Sequence, residues 1–246
     1  MDVPHVRQQY SWDCGLACAA ALLAAVPNRT ACSRDGEDVL TTLHANPESL
    51  PVAASSLWTI DVLSLLHARG VCGVMTTTLA APNPDHARHA FYTVGEDFDN
   101  VAARVEAAFG AARAAGACII ERSVPLAEIR ATLAARHAVY VCLLDRRRVA
   151  CTRCGSGGAT GEAPGGYQGH YVVLTDARDG LIEVMDPAAD ERRCVFLETD
   201  LDRARLADGT DEDLIEFRIS VSPGGSGGRY YERHDNVQNN SVANLK

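Results

Sequence analysis

Residues 8–25 read QQYSWDCGLACAAALLAA. From Cys14 to Ala25 the stretch is apolar on every side and rich in strong helix formers, which predicts a buried helix. Asp13 is a fitting N-cap, and Pro27 stops the helix soon after its last apolar residue. Outward from it, residues 28–57 are mixed and polar and carry no assignable element. Trp58–Arg69 is amphipathic, with Thr59 as a candidate cap and Gly70 just past its end. Residues 71–78 read as a strand, 100–115 as a helix, and 117–121 as a short strand. Residues 123–136 read as a helix capped by Ser123, with Pro125 in its first turn. Residues 138–144 (AVYVCLL) form a buried strand. Two strands, 170–175 and 181–186, flank the turn 176–180. A short helix near 198–207 and a strand near 213–220 complete the pattern. A helical front followed by a run of strands predicts an α+β fold with a mostly antiparallel sheet.

The 246 residues are 47% hydrophobic and 22% charged, ordinary for a globular chain. That excludes collagen-like, coiled-coil and wholly disordered classes. A single domain over 1–221 is expected, followed by a disordered polar tail over 222–246. The net charge is −9, which speaks against nucleic-acid partners. Lys246 is the only lysine, so a P-loop GKS/GKT site cannot be built. No stretch approaches the ~20 apolar residues of a membrane span, and the N-terminus lacks a secretory pattern. The nine cysteines are not spaced as a compact secreted scaffold. Most read as small buried hydrophobes in a cytoplasmic or nuclear protein.

Cys14 falls in the first turn of the predicted helix, where free backbone N–H groups and the helix dipole favour a thiolate. Its plain alternative is a buried structural cysteine. Gly15 permits close approach of another chain or a substrate. Gln8 is placed to offer a side-chain N–H to an oxyanion, and Trp12 to line a groove or join the core. A hairpin turn centred on Arg178 sets His170 opposite Asp186, Val172 opposite Val184 and Leu174 opposite Ile182. Directly opposed residues come within hydrogen-bond reach, so Asp186 would orient the His170 imidazole. The plain alternative is a solvated histidine at a strand start and an aspartate before Pro187. A nucleophile needs a base, the base an orienter, and the intermediate oxyanion donors. Cys14, His170, Asp186 and Gln8 fill those roles, with Trp12, Gly15 and Gly169 as candidate substrate contacts.

The stretches VPHVRQQYSWDCGLAC, GHYVVLTDARDGLIEVMDPA and GTDEDLIEF closely resemble the guanylyl cyclase domain-containing proteins, which include the soluble plant-type guanylyl cyclases. The resemblance covers about residues 2–220. The Gln…Asp-Cys-Gly and His-Tyr-Val-Val…Asp-Pro motifs also look like those of the bacteriocin-processing double-glycine peptidases, which have a papain-like fold. That likeness implies Cys14 as nucleophile, His170 as base, Asp186 as its orienter and Gln8 in the oxyanion hole.

The two resemblances imply different chemistry. The peptidase motifs imply a thiol hydrolase that needs no cofactor and acts on a peptide, protein or small amide. The family name implies conversion of GTP to cyclic GMP with Mg²⁺ or Mn²⁺. A third reading is a catalytically silent module that binds a partner through the same groove. For a cyclase, carboxylates must hold two metals. Asp176, Asp179, Asp186 and Asp190 cluster in sequence, with nothing to arrange them around a metal. The Gly-rich stretch 155–161 and the run Arg146–Arg148 read first as a loop tip and a solvated turn, and second as phosphate contacts. Cys151 and Cys154 form one CxxC, half of a zinc site by itself, so no metal ligand is assigned.

Overall fold

The computed structural model describes residues 2–26, 35–45, 57–93, 97–158, 166–218, 220–221 and 229–230. Among them are seven α-helices: α1 (Cys14–Ala25), α2 (Gly36–Ala45), α3 (Thr59–Ala68), α4 (Ala90–Thr93), α5 (Phe98–Ala114), α6 (Leu126–Ala134) and α7 (Glu198–Arg205). Seven strands form one open sheet: β1 (Val74–Thr77), β2 (Cys118–Glu121), β3 (Ala138–Asp145), β4 (Gly169–Arg178), β5 (Leu181–Met185), β6 (Cys194–Leu197) and β7 (Leu214–Arg218). Their order is β2-β1-β7-β3-β4-β5-β6, antiparallel except for the β1/β2 pair. The α+β class and the mostly antiparallel sheet follow the sequence reading.

Both faces of the sheet are covered. Val139, Val141 and Leu143 of β3 face one core with α1, α3 and α5, while Tyr140, Cys142 and Leu144 face a second core with α6 and α7. This is the period-2 alternation of a strand, buried on both sides. It explains why β3 reads as an unbroken apolar run. α1 lies in the first core against α2, α3 and β4, and its residues Cys14–Leu23 are all buried. Among the described residues, no helix is long and apolar enough to cross a membrane.

Three elements escaped the sequence reading, one of them the four-residue α4. α2 lies within the unassigned 28–57 and buries Val39, Leu40 and Leu43 against α1. β6 is a four-residue edge strand paired with β5. Three caps differ as well: Thr59 is the first residue of α3, whose N-cap is Trp58. Asp13 holds the N-cap position of α1, but its side chain caps nothing there and turns back to the preceding loop. Ser123 gives its hydroxyl to Glu212, and α6 starts after Pro125.

The β4–β5 register also corrects the expectation. The turn is Asp179-Gly180, both at positive φ (52° and 77°), a two-residue hairpin turn. A bulge between Leu174 and Asp176 then shifts the pairing, so Leu174 faces Val184 and Val173 faces Met185. Continued one step, that register sets Asp186 beside Val172, diagonal to His170 and not opposite it.

Of the tail, Arg229–Tyr230 departs from the expected disorder and pairs with Ser220–Val221 of the domain. The disorder expected for 222–246 otherwise falls outside the described residues, as does Gly161 of the Gly-rich stretch.

Candidate active site

Three elements meet at the site. Cys14 starts α1, His170 is the second residue of β4, and Asp186 follows the end of β5. Nε2 of His170 lies 2.8 Å from Oδ1 of Asp186 despite the diagonal register. Diagonal neighbours remain within reach of longer side chains, and an imidazole spans the gap. With Nε2 engaged on Asp186, Nδ1 is the nitrogen left for the Cys14 thiol, which lies close enough to raise the imidazole's pKa. All three residues are almost wholly buried.

Burial lowers the pKa of His170, but the Asp186 hydrogen bond and the Cys14 thiol outweigh it and raise it to about 9. Burial acts on Asp186 in the opposite sense. The His170 bond and charge, Arg146 and the Ala188 N–H hold the Asp186 carboxyl below its ordinary range. Asp186 is also fixed from several sides. Ala188 N–H donates to Oδ1 at 2.9 Å, and Nη2 of Arg146 stands 2.9 Å from Oδ2. The imidazole is thus locked in one orientation and favoured as a cation.

Gln8 lies along the segment that carries Asp186. Its backbone N–H donates to Pro187 O at 3.0 Å, and His5 Nε2 is 3.3 Å from Asp186 O. The Gln8 side-chain Nε2 donates to Tyr10 O at 2.8 Å, while its buried Oε1 has no hydrogen-bond partner. The loop between Gln8 and α1 is folded around Asp13, which is fully buried. Its carboxylate accepts the N–H groups of Gln9 and Tyr10 and pairs with His44 of α2 at 3.0 Å.

The remaining candidates sit nearby with identifiable neighbours. Trp12 stacks on Tyr10 and meets His44 edge-on. At Gly15, a Cβ would lie 3.2 Å from both Tyr171 and Val62, so this glycine lets α1 close on β4 and α3. At Gly169, a Cβ would lie 2.8 Å from the Phe91 ring. Phe91 begins an aromatic group with Tyr92 and Tyr167 beside the site.

Sequence reasoning missed these aromatics and the role of Arg146. The triple-arginine run was a visible signal, read as a solvated turn or a phosphate contact. Arg148 is that exposed turn residue, paired with Asp145, whereas Arg146 is buried on Asp186.

A hard divalent cation needs grouped oxygen ligands. Asp176 is paired with Arg136 and Arg178, Asp186 with His170 and Arg146, and Asp190 with Arg7. Among the described residues, the only group of three metal-ligating side chains is Cys151, Cys154 and Cys194, a soft thiol set. The described residues therefore do not fit a two-metal carboxylate site.

A family model described as guanylylate cyclase matches residues 3–217. Guanylyl cyclase 1 of Arabidopsis thaliana is 31% identical over 223 residues, which are 89% of this chain and 76% of that protein.

Proposed function

The chain belongs to the guanylylate cyclase family, and within that family we propose that its buried centre is a papain-like thiol site. The observation that carries this reading is one imidazole, held by Asp186 at 2.8 Å and influenced by the neighbouring Cys14 thiol at the start of α1. Cys14 Sγ, its proton already passed to His170 Nδ1, attacks the acyl carbon of a peptide, isopeptide or small amide. The oxyanion takes hydrogen bonds from the Cys14 backbone N–H and from the second N–H of Gln8 Nε2. His170 returns the proton to the leaving amine. Water then cleaves the thioester and restores the thiol.

The test is turnover of peptide, isopeptide and amide libraries by the full chain and by Cys14→Ala. Hydrolysis lost in Cys14→Ala supports the reading. Hydrolysis retained in that variant ends it.

A second reading rests on the name of the Arabidopsis relative: conversion of GTP to cyclic GMP. It predicts cyclic GMP formed with Mn²⁺ or Mg²⁺, at the same rate in Cys14→Ala. The paired state of Asp176, Asp186 and Asp190 argues against it. Formation of cyclic GMP by both the wild type and Cys14→Ala, with no amide hydrolysis by either, would establish it over the first.

A further inference from the structure

Away from Cys14, three other thiols converge. Cys151 and Cys154 lie in the turn after β3, and Cys194 opens β6. Their sulfurs all lie within 4.8 Å of one another. Cys154 Sγ is 4.0 Å from Cys194 Sγ. Zn–S bonds of about 2.3 Å in a tetrahedral site set neighbouring sulfurs about 3.8 Å apart. The thiols therefore already stand close to metal-site spacing.

The backbone supports the same role. Cys151 N–H donates to Ser156 O at 2.8 Å and Gly155 N–H to Cys151 O at 2.9 Å, closing a tight turn with Gly155 at φ 71°. Thr152 N–H donates to Val195 O at 2.8 Å and pins the turn to β6. Cys151 Sγ accepts the Val195 N–H at 3.4 Å, which aims the sulfur at the other two. Ser156 Oγ stands 3.0 Å from Cys154 Sγ and 3.7 Å from Cys194 Sγ, placing an oxygen beside the three sulfurs.

We propose that Cys151, Cys154, Cys194 and Ser156 Oγ bind one tetrahedral divalent cation of the zinc class, stapling the 151–157 turn to β6. Binding displaces the thiol protons to solvent and forms three metal–thiolate bonds. The cation offsets the mutual repulsion of the three thiolates it gathers. A disulfide between Cys154 and Cys194 would use two of the sulfurs and leave Cys151, the third of the cluster, without a role.

The staple sits next to the catalytic candidates. A Cβ on Gly157 would lie 2.0 Å from Arg146 Nη1, so the turn packs against the arginine that holds Asp186. Cys194 pairs with Val184, two residues before Asp186.

The experiment is metal analysis of the full chain purified under reductant, then titration of the metal-free chain with Co²⁺. The expected result is about one zinc per chain, with intense tetrahedral cobalt bands and a sulfur-to-cobalt charge-transfer band. Cys154→Ser, at an exposed position, loses the charge-transfer band, and Cys72→Ser keeps it. Ser156→Ala weakens cobalt affinity about tenfold or more. The proposal is overturned if wild type binds cobalt no more tightly than Cys154→Ser. It is also overturned if non-reducing peptide mapping finds a Cys154–Cys194 disulfide in chain purified without reductant.

Discussion

Arg146 closes on Asp186 from the side opposite His170: its Nη2 is 2.9 Å from Oδ2, while His170 Nε2 is 2.8 Å from Oδ1. Asp186 has no solvent exposure, so each oxygen depends on its partner. Removing Arg146 leaves half of a buried carboxylate without its cation. Arg146→Ala is therefore expected to destabilise the fold by about 2–4 kcal/mol. Arg148→Ala is the control, because Arg148 is half-exposed and buried Asp145 keeps the Arg147 and Gln168 N–H groups without it, so its removal costs about 1 kcal/mol or less. Urea unfolding at pH 7 measures both. Equal losses would show that Arg146 does not hold Asp186.

The His170–Asp186 bond also has a pH signature. A histidine pKa raised to about 9 means that the folded chain binds the proton more tightly than the unfolded chain. This contribution is complete below the ordinary histidine value of about 6.5 and is lost as pH rises through 9. The stability gap between wild type and His170→Gln should be widest at pH 6 and narrow steadily toward pH 10. A gap that stays constant over that range would show that the imidazole is not held as a cation.

Cys14 should react with iodoacetamide in a His170-dependent way. At pH 6 an ordinary thiol, with a pKa of about 8.5, is almost wholly protonated and slow. An imidazolium beside Cys14 supplies the charge that a thiolate needs. Wild type is expected to label at Cys14 at least about tenfold faster than His170→Ala. Labelling must be mapped by residue, because Cys154 is exposed and its metal-free thiol would compete for the reagent. Equal Cys14 rates in the two proteins would remove the nucleophile role.

Gly169 and Phe91 form a steric pair at the edge of the site. A Cβ at 169 would sit 2.8 Å from the Phe91 ring, closer than real contacts permit. Gly169→Ala should cost about 1–3 kcal/mol by overpacking. In the Phe91→Leu background the same change should cost less, and a double-mutant cycle reads the difference. Additive losses would show that the ring is not what excludes a side chain at 169.

The elements with strong local signals were legible in the sequence. α1 is apolar on all sides, β3 is an unbroken apolar run, and His170 and Asp186 were paired from the hairpin alone. The register behind that pairing was not. The bulge near Thr175 and the two-residue turn at Asp179-Gly180 displaced it by two positions. An even displacement keeps the alternation of faces, so the contact survived the error. α2 was invisible because its short apolar stripe of Val39, Leu40 and Leu43 lies in a polar stretch, and tertiary packing on α1 completes it. Arg146 could not be separated from Arg147 and Arg148, because only the fold decides which arginine of the run meets a buried carboxylate. Cys194 lies forty residues from Cys154 along the chain, so the CxxC read as half a site.

Asp213 carries the last prediction. It is buried beside Thr59 and Thr77, and burial pushes its carboxyl up to about 7 even though both threonines lower it. Its Oδ1 has no hydrogen-bond partner. A carboxyl with a raised folded pKa stabilises the fold fully below its unfolded value of about 4, and that stability is lost as pH rises through 7. Asp213→Asn keeps the shape and removes the charge. The variant should match wild type near pH 4 and exceed it by about 1–3 kcal/mol at pH 8. Urea unfolding at the two pH values measures this. A variant less stable than wild type at pH 8 would mean that the ionised carboxylate is held by partners strong enough to offset its burial, and that Asp213 does not resist ionisation.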